Sequence, residues 1–96
     1  STPNRSFCQR MMLSKYAFYE QFLNGRKIAD TQKTNAALIA FSFDTPEGAR
    51  DFAKAAEANG GQSFQVEMGI PEEEMLGFEV LDPDGNQLES VWMKGY

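Results

Sequence analysis

Ninety-six residues with a formal net charge of −5 make one small acidic domain. That charge argues against a nucleic-acid partner, because phosphate binding needs clustered Lys and Arg, and no apolar run approaches the ~18 residues of a membrane span. There is no histidine and a single cysteine, Cys8, so one chain can build no His triad, Cys–His pair, His-based zinc or iron site, or internal disulfide.

A general base would therefore be a carboxylate, Lys or Tyr, and a metal would need oxygen ligands. No signal peptide is visible. With a lone cysteine, this points to a cytoplasmic chain. Eight Phe and one Trp argue against wholesale disorder. A chain this short has a thin stability margin, which a partner subunit would widen.

Residues 1–6 read as a loose end. The stretch 7–14 is compatible with a strand of imperfect alternation, a helix being the other option. From Lys15 to Leu23, the aromatic residues Tyr16, Phe18, Tyr19 and Phe22 predict a short helix that ends at Asn24-Gly25. Arg26 to Asn35 is polar and reads as a linker crossing the surface.

Ala36 to Phe43 predicts a strand, with Leu38, Ala40 and Ser42 on one face and Ile39, Phe41 and Phe43 on the other. A helix follows at once. Thr45 is a good N-cap, Pro46 suits the first turn, and Glu47 suits the positive end of the helix dipole. Its apolar stripe is Ala49, Phe52, Ala53 and Ala56, and Asn59-Gly60-Gly61 supplies the stop. Ser63 to Met68 predicts the next strand, and Gly69 to Met75 a loop whose run Glu72-Glu73-Glu74 reads as solvated, a cation-binding lip being the other option.

Gly77 to Met93 predicts a hairpin turning at Asp82-Pro83-Asp84-Gly85-Asn86, where Pro fixes φ, Gly takes positive φ, and Asp and Asn bond their own backbone. Alternation puts Phe78, Val80, Leu88, Ser90 and Trp92 on a core face. It puts Gly77, Glu79, Leu81, Gln87, Glu89, Val91 and Met93 on the other. Glu79 and Glu89 thus lie near each other across the hairpin. Close carboxylates raise one pKa, giving a poised acid or a cation site. Ser42, Gln87, Gln65 and Tyr16 are candidates for added polar contacts. Met11, Met12, Leu13, Leu38, Val91, Trp92 and Met93 are expected mostly in the core, although a Met-rich wall also accepts irregular apolar ligands. Cys8 has no activating neighbour in sequence except Arg10, so a catalytic thiolate is not expected.

The strand–helix–strand–strand–strand order, the helix end Ala55-Ala56-Glu57-Ala58-Asn59-Gly60-Gly61 and the hairpin Asp82-Pro83-Asp84-Gly85-Asn86-Gln87-Leu88-Glu89 resemble the glyoxalase/bleomycin-resistance/dioxygenase family, the vicinal oxygen chelate superfamily. The segment Met11-Met12-Leu13-Ser14, with Phe18, Phe22 and Gly25-Arg26-Lys27-Ile28-Ala29-Asp30, looks like the end of that family's first module and its linker. The resemblance covers about residues 10–93.

It implies an α+β fold: a βαβββ module over 35–96 with a mixed curved sheet, preceded by a remnant of the first module over 1–34. Paired modules close around a pocket in this family, so a homodimer is expected to complete the half-sheet. In metal-bound relatives, the second module gives one ligand early in its first strand and a Glu in its last. Glu89 fills the last-strand position, but Leu38 fills the first-strand one and binds no metal.

The expectation is therefore a small-molecule-binding protein without a catalytic metal. Its ligand, of cationic or polar character, is held in a concave pocket by Glu79 and Glu89 with Leu38, Ser42, Gln87 and Val91. One alternative is a divalent-metal lyase or isomerase using Glu89. The other is a dimeric assembly module whose concavity is filled by side chains.

Overall fold

The computed structural model describes residues 10–95. A short helix α1 (Tyr16–Tyr19) and a 3-10 turn (Glu20–Phe22) come first. The body follows as β1 (Leu38–Ser42), α2 (Pro46–Ala58), β2 (Gln62–Gln65), β3 (Met75–Leu81) and β4 (Gln87–Met93). The sheet order is β1-β4-β3-β2. β1 runs parallel to β4, and the β4–β3 and β3–β2 pairs are antiparallel. β1 and β2 are therefore the two edges, and α2 crosses one face of the sheet to join them. This is the expected α+β, βαβββ arrangement with a mixed sheet that does not close.

Local chemistry sets α2. Thr45 is extended (φ −135°, ψ 154°), and its side chain accepts a hydrogen bond from the Gly48 N–H, as an N-cap should. At the other end the Gly61 N–H donates to the Ala56 carbonyl at 2.8 Å. A Cβ on Gly61 would stand 2.3 Å from the Leu81 carbonyl oxygen. Gly61 is thus needed for close backbone approach as well as for ending the helix.

The helix reaches the sheet through small residues. Ala49, Ala53, Leu76, Val80 and Ser90 are buried. The Ser90 hydroxyl donates to the Ala49 carbonyl at 3.0 Å, which satisfies a fully buried polar group between helix and sheet. Phe52 lies between Phe41 and Phe43, with ring centroids 5.4 and 5.6 Å away. The aromatic side of β1 therefore packs beneath the helix as its alternation predicts.

The hairpin turn is built by Asp82. Its Oδ1 accepts from the Asp84 and Asn86 N–H groups at 2.9 and 2.8 Å, and its Oδ2 from the Asn86 side chain at 2.9 Å. The polar stretch 26–35 crosses the surface as expected, but it also docks on this turn. The Thr31 hydroxyl donates to the Asp84 carbonyl, and the Gln32 side chain donates to the Pro83 carbonyl at 3.1 Å. Gly85 has φ +89°, and a Cβ there would come within 2.5 Å of the Thr31 carbonyl oxygen. Gly85→Ala therefore meets both left-handed backbone strain and a backbone clash. It is expected to cost about 2 kcal/mol, a melting temperature lower by roughly 10 °C in thermal denaturation.

Several sequence expectations are corrected. Arg10 to Ser14 forms no strand, and the residues before them lie outside the described range. The helix predicted over 15–23 is shorter and tightens into a 3-10 turn, because a segment with no packed face has nothing to sustain longer helix. β2 begins at Gln62 and ends at Gln65. Met75 belongs to β3, where it pairs with Met93. Met11, Met12, Leu13, Leu38 and Met93 are exposed, because the first three precede any packed element and the last two lie on the sheet face away from α2.

Candidate functional site

Register places the candidate residues. Glu79 and Glu89 are direct cross-strand partners. On the same face, Ala40 pairs with Glu89 and Phe64 pairs with Glu79. One row across the sheet therefore reads Ala40, Glu89, Glu79, Phe64. The row on one side carries Leu38, Gln87 and Leu81, and the row on the other carries Ser42, Val91 and Gly77. All six residues expected at the site thus share the face opposite α2. That face is open: Leu38, Phe64 and Met93 are exposed, and Glu79, Gln87, Glu89 and Val91 are half-buried.

The polar centre is small and defined. The Gln87 amide donates to Glu79 Oε2 at 2.8 Å, which orients that carboxylate. The Glu89 carboxyl is held above the ordinary carboxylate value, first by burial and second by the charge of Glu79. Like charges directly opposite in a sheet are destabilising. The pair can lower its energy by sharing a proton or by taking a cation between its oxygens.

The pH consequence has a definite sign. A carboxyl with a raised pKa binds its proton more tightly in the folded state. The stabilisation from that proton is complete below the unfolded pKa and is lost as pH rises through the folded one. Glu89→Gln removes the charge that causes the loss. It is expected to melt higher than the wild type at pH 7, by roughly 1–5 °C for a cross-strand repulsion of about 0.2–1 kcal/mol. At pH 4 the two should melt together. Thermal melts of both proteins at the two pH values check this.

Two of the proposed polar helpers lie elsewhere. Gln65 pairs with Phe78 on the helix side of the sheet, where its amide donates to Glu72 at 2.7 Å. Tyr16 lines an open trough of about 580 Å³ beside the hairpin turn, with Glu20, Lys27, Ile28, Thr31 and Asp84. Conversely, Ala40 and Phe64 flank the carboxylates and were not singled out from sequence. Their signal was the alternation of β1 and β2, which yields a shared row only once strand order and register are known.

With this geometry in view, the chain is similar to a crystal structure of a glyoxalase/bleomycin resistance protein from Albidiferax ferrireducens T118. The TM-score is 0.53 and the identity 25%, over 73% of this chain and 55% of that one. No family model and no curated protein matches the sequence. The chain has a glyoxalase/bleomycin-resistance type of fold, and it spans about half the length of that structure.

The metal question turns on donors. Among the described residues, no three Cys, Asp or Glu side chains converge into a group able to hold an ion. Glu89 has Glu79 beside it, and Leu38 has no donor atom. Two carboxylates fall short of the about six oxygens that Mg²⁺ or Ca²⁺ takes. Among the described residues, Glu79 and Glu89 by themselves do not make up the donor set of a catalytic divalent metal. Among the described residues, no helix is long and apolar enough to cross a membrane.

Proposed function

We propose that this chain is a cytoplasmic small-molecule-binding protein of the glyoxalase/bleomycin-resistance type, acting without a catalytic metal and as a homodimer. Its ligand is an organic cation with an apolar or aromatic body, taken on the open face of the sheet. The observation that carries this reading is the direct opposition of Glu79 and Glu89 on an open face where they are the two charged groups of the strands.

Each part of that face has a role in binding. Glu79, oriented by Gln87, supplies a fixed negative charge. Glu89, its carboxyl held above the ordinary value by burial and by the charge of Glu79, supplies the second. A cation between them removes their mutual repulsion, so binding gains from relief of strain already present in the free protein. Phe64 offers a ring face to a cation, while Leu38 and Val91 meet apolar carbons. Ser42 lies one row from the pair and can donate a hydrogen bond to a polar substituent.

The test is a thermal-shift titration of the full chain with benzyltrimethylammonium, together with elemental analysis of the purified protein. Stabilisation by the cation that is lost in Glu79→Gln and Glu89→Gln is expected. No shift with this cation would remove the reading. Stoichiometric divalent metal that disappears in Glu89→Gln would replace it with a metal-dependent lyase or isomerase using Glu89.

A further inference from the structure

The segment 10–22 is apolar and uncovered. Met11, Met12, Leu13, Tyr16, Phe18, Tyr19 and Phe22 are all exposed, Leu13 at 92% and Met12 at 77%. Seven large apolar side chains within thirteen residues far exceed the scattered exposure of an ordinary surface. Phe18 and Phe22 stack edge to face on each other, with ring centroids 5.1 Å apart, and both remain exposed. Basic side chains surround this apolar group. Arg10 and Lys15 lie within the segment. The Arg26 side chain donates to the Leu23 carbonyl at 3.4 Å. Lys27 shares the trough beside the hairpin turn with Tyr16, where Glu20 and Asp84 are the acids. All four basic residues are exposed.

Charge divides the chain in two. Residues 10–27 hold those four cations against one acid, Glu20. Residues 28–96 hold four cations, Lys33, Arg50, Lys54 and Lys94, against thirteen acids. An aromatic, cationic segment thus projects from an acidic body. We propose that residues 10–27 dock this protein on the surface of an anionic bilayer, such as the cytoplasmic face of a cell membrane presents. Neither Glu79 nor Glu89 lines the trough, so docking uses a surface separate from the proposed ligand face and does not depend on that ligand.

Basic side chains near an anionic leaflet are attracted over about one Debye length. The apolar side chains then enter the headgroup region, where a Tyr ring meets acyl carbons while its hydroxyl stays in water. The same surface repels the acidic body, so charge also orients the protein with its segment toward the lipid. Among the described residues, no helix is long and apolar enough to cross a bilayer, so the segment lies on the surface and does not span it. A protein partner fits less well. Protein interfaces pack at interior density against a defined shape, whereas α1 is a single turn and residues 10–15 form no helix or strand. A fluid bilayer interface requires no preset shape.

Flotation of the full chain with lipid vesicles tests the proposal. Vesicles of mixed phosphatidylglycerol and phosphatidylcholine should carry the wild type, and added salt should weaken the binding. Vesicles of phosphatidylcholine alone should bind it at least about tenfold more weakly. Leu13→Asp with Phe22→Asp should abolish flotation with an unchanged circular dichroism spectrum, because both side chains are exposed within the chain. Arg10→Glu with Lys15→Glu should weaken flotation by about tenfold or more. Lys54→Glu with Lys94→Glu makes the same change in net charge at exposed positions of the acidic body, and should leave it within about twofold. A wild type that floats with neither vesicle, equal binding to both, or equal losses in the two charge-reversed variants would each overturn the proposal. So would a wild type that stays unbound and turns from dimer to monomer in Leu13→Asp with Phe22→Asp by sedimentation velocity, since a second copy would then cover the segment.

Discussion

A Glu79→Gln, Glu89→Gln double variant is expected to keep its fold and lose roughly 10- to 100-fold in affinity for benzyltrimethylammonium, since charged contacts contribute about 1.5–3 kcal/mol each and share one ligand. Two effects set this size. The carboxylates attract the cation, and the cation relieves the repulsion between the cross-strand partners. Removing both removes both effects. Glu89→Gln alone should cost less than the double change, because Glu79 remains oriented by the Gln87 amide at 2.8 Å. The Glu79→Gln variant should bind the cation better at pH 7, where Glu89 keeps its charge, than near pH 4, where Glu89, with its raised pKa, takes up its proton. Titration calorimetry of the three variants at both pH values separates these cases. Equal affinities for wild type and double variant would show that the open face does not hold the cation through these groups.

The acid pair was legible before any coordinates because the hairpin is short-range. Its turn chemistry at Asp82–Asn86 fixes the register, and register plus alternation puts Glu79 opposite Glu89. The helix was legible for the same reason: Thr45, Pro46 and Asn59-Gly60-Gly61 act within a turn of where they sit. What sequence did not convey was long-range. The pairing of β1 with β4 and of β2 with β3 decides that Ala40 and Phe64 flank the carboxylates, and neither pairing is written locally. The same pairing sends Gln65 to the helix side, away from the site where polarity alone had placed it. The N-terminal misreading has another cause. Hydrophobic side chains predict burial only if some surface is there to receive them, and Met11, Met12 and Leu13 meet none within this chain. The sequence marks Gly61 as part of a helix stop and Gly85 as a turn residue. Their need to let backbone approach Leu81 and Thr31 could not be seen without the tertiary contacts.

Leu76→Ala and Leu38→Ala, two identical substitutions in one sheet, are expected to differ several-fold in cost. Leu76 is 2% exposed on the helix side, whereas Leu38 is 43% exposed on the open face. Emptying the Leu76 site loses the transfer free energy of the side chain and leaves a cavity between helix and sheet. The cost of such a change is about 2–5 kcal/mol, which corresponds to a melting temperature lower by roughly 10–25 °C. For a domain of this size that is a large part of the total stability, and partial unfolding at 37 °C is the expected result. Leu38→Ala removes a side chain already largely in water, so its cost to a single chain should be within about 0.5 kcal/mol. Urea unfolding of dilute protein, where assembly does not contribute, measures both. If the pair of proteins unfolded alike, the open face would be as well packed as the helix face. In that case a ligand would have no open surface to occupy there.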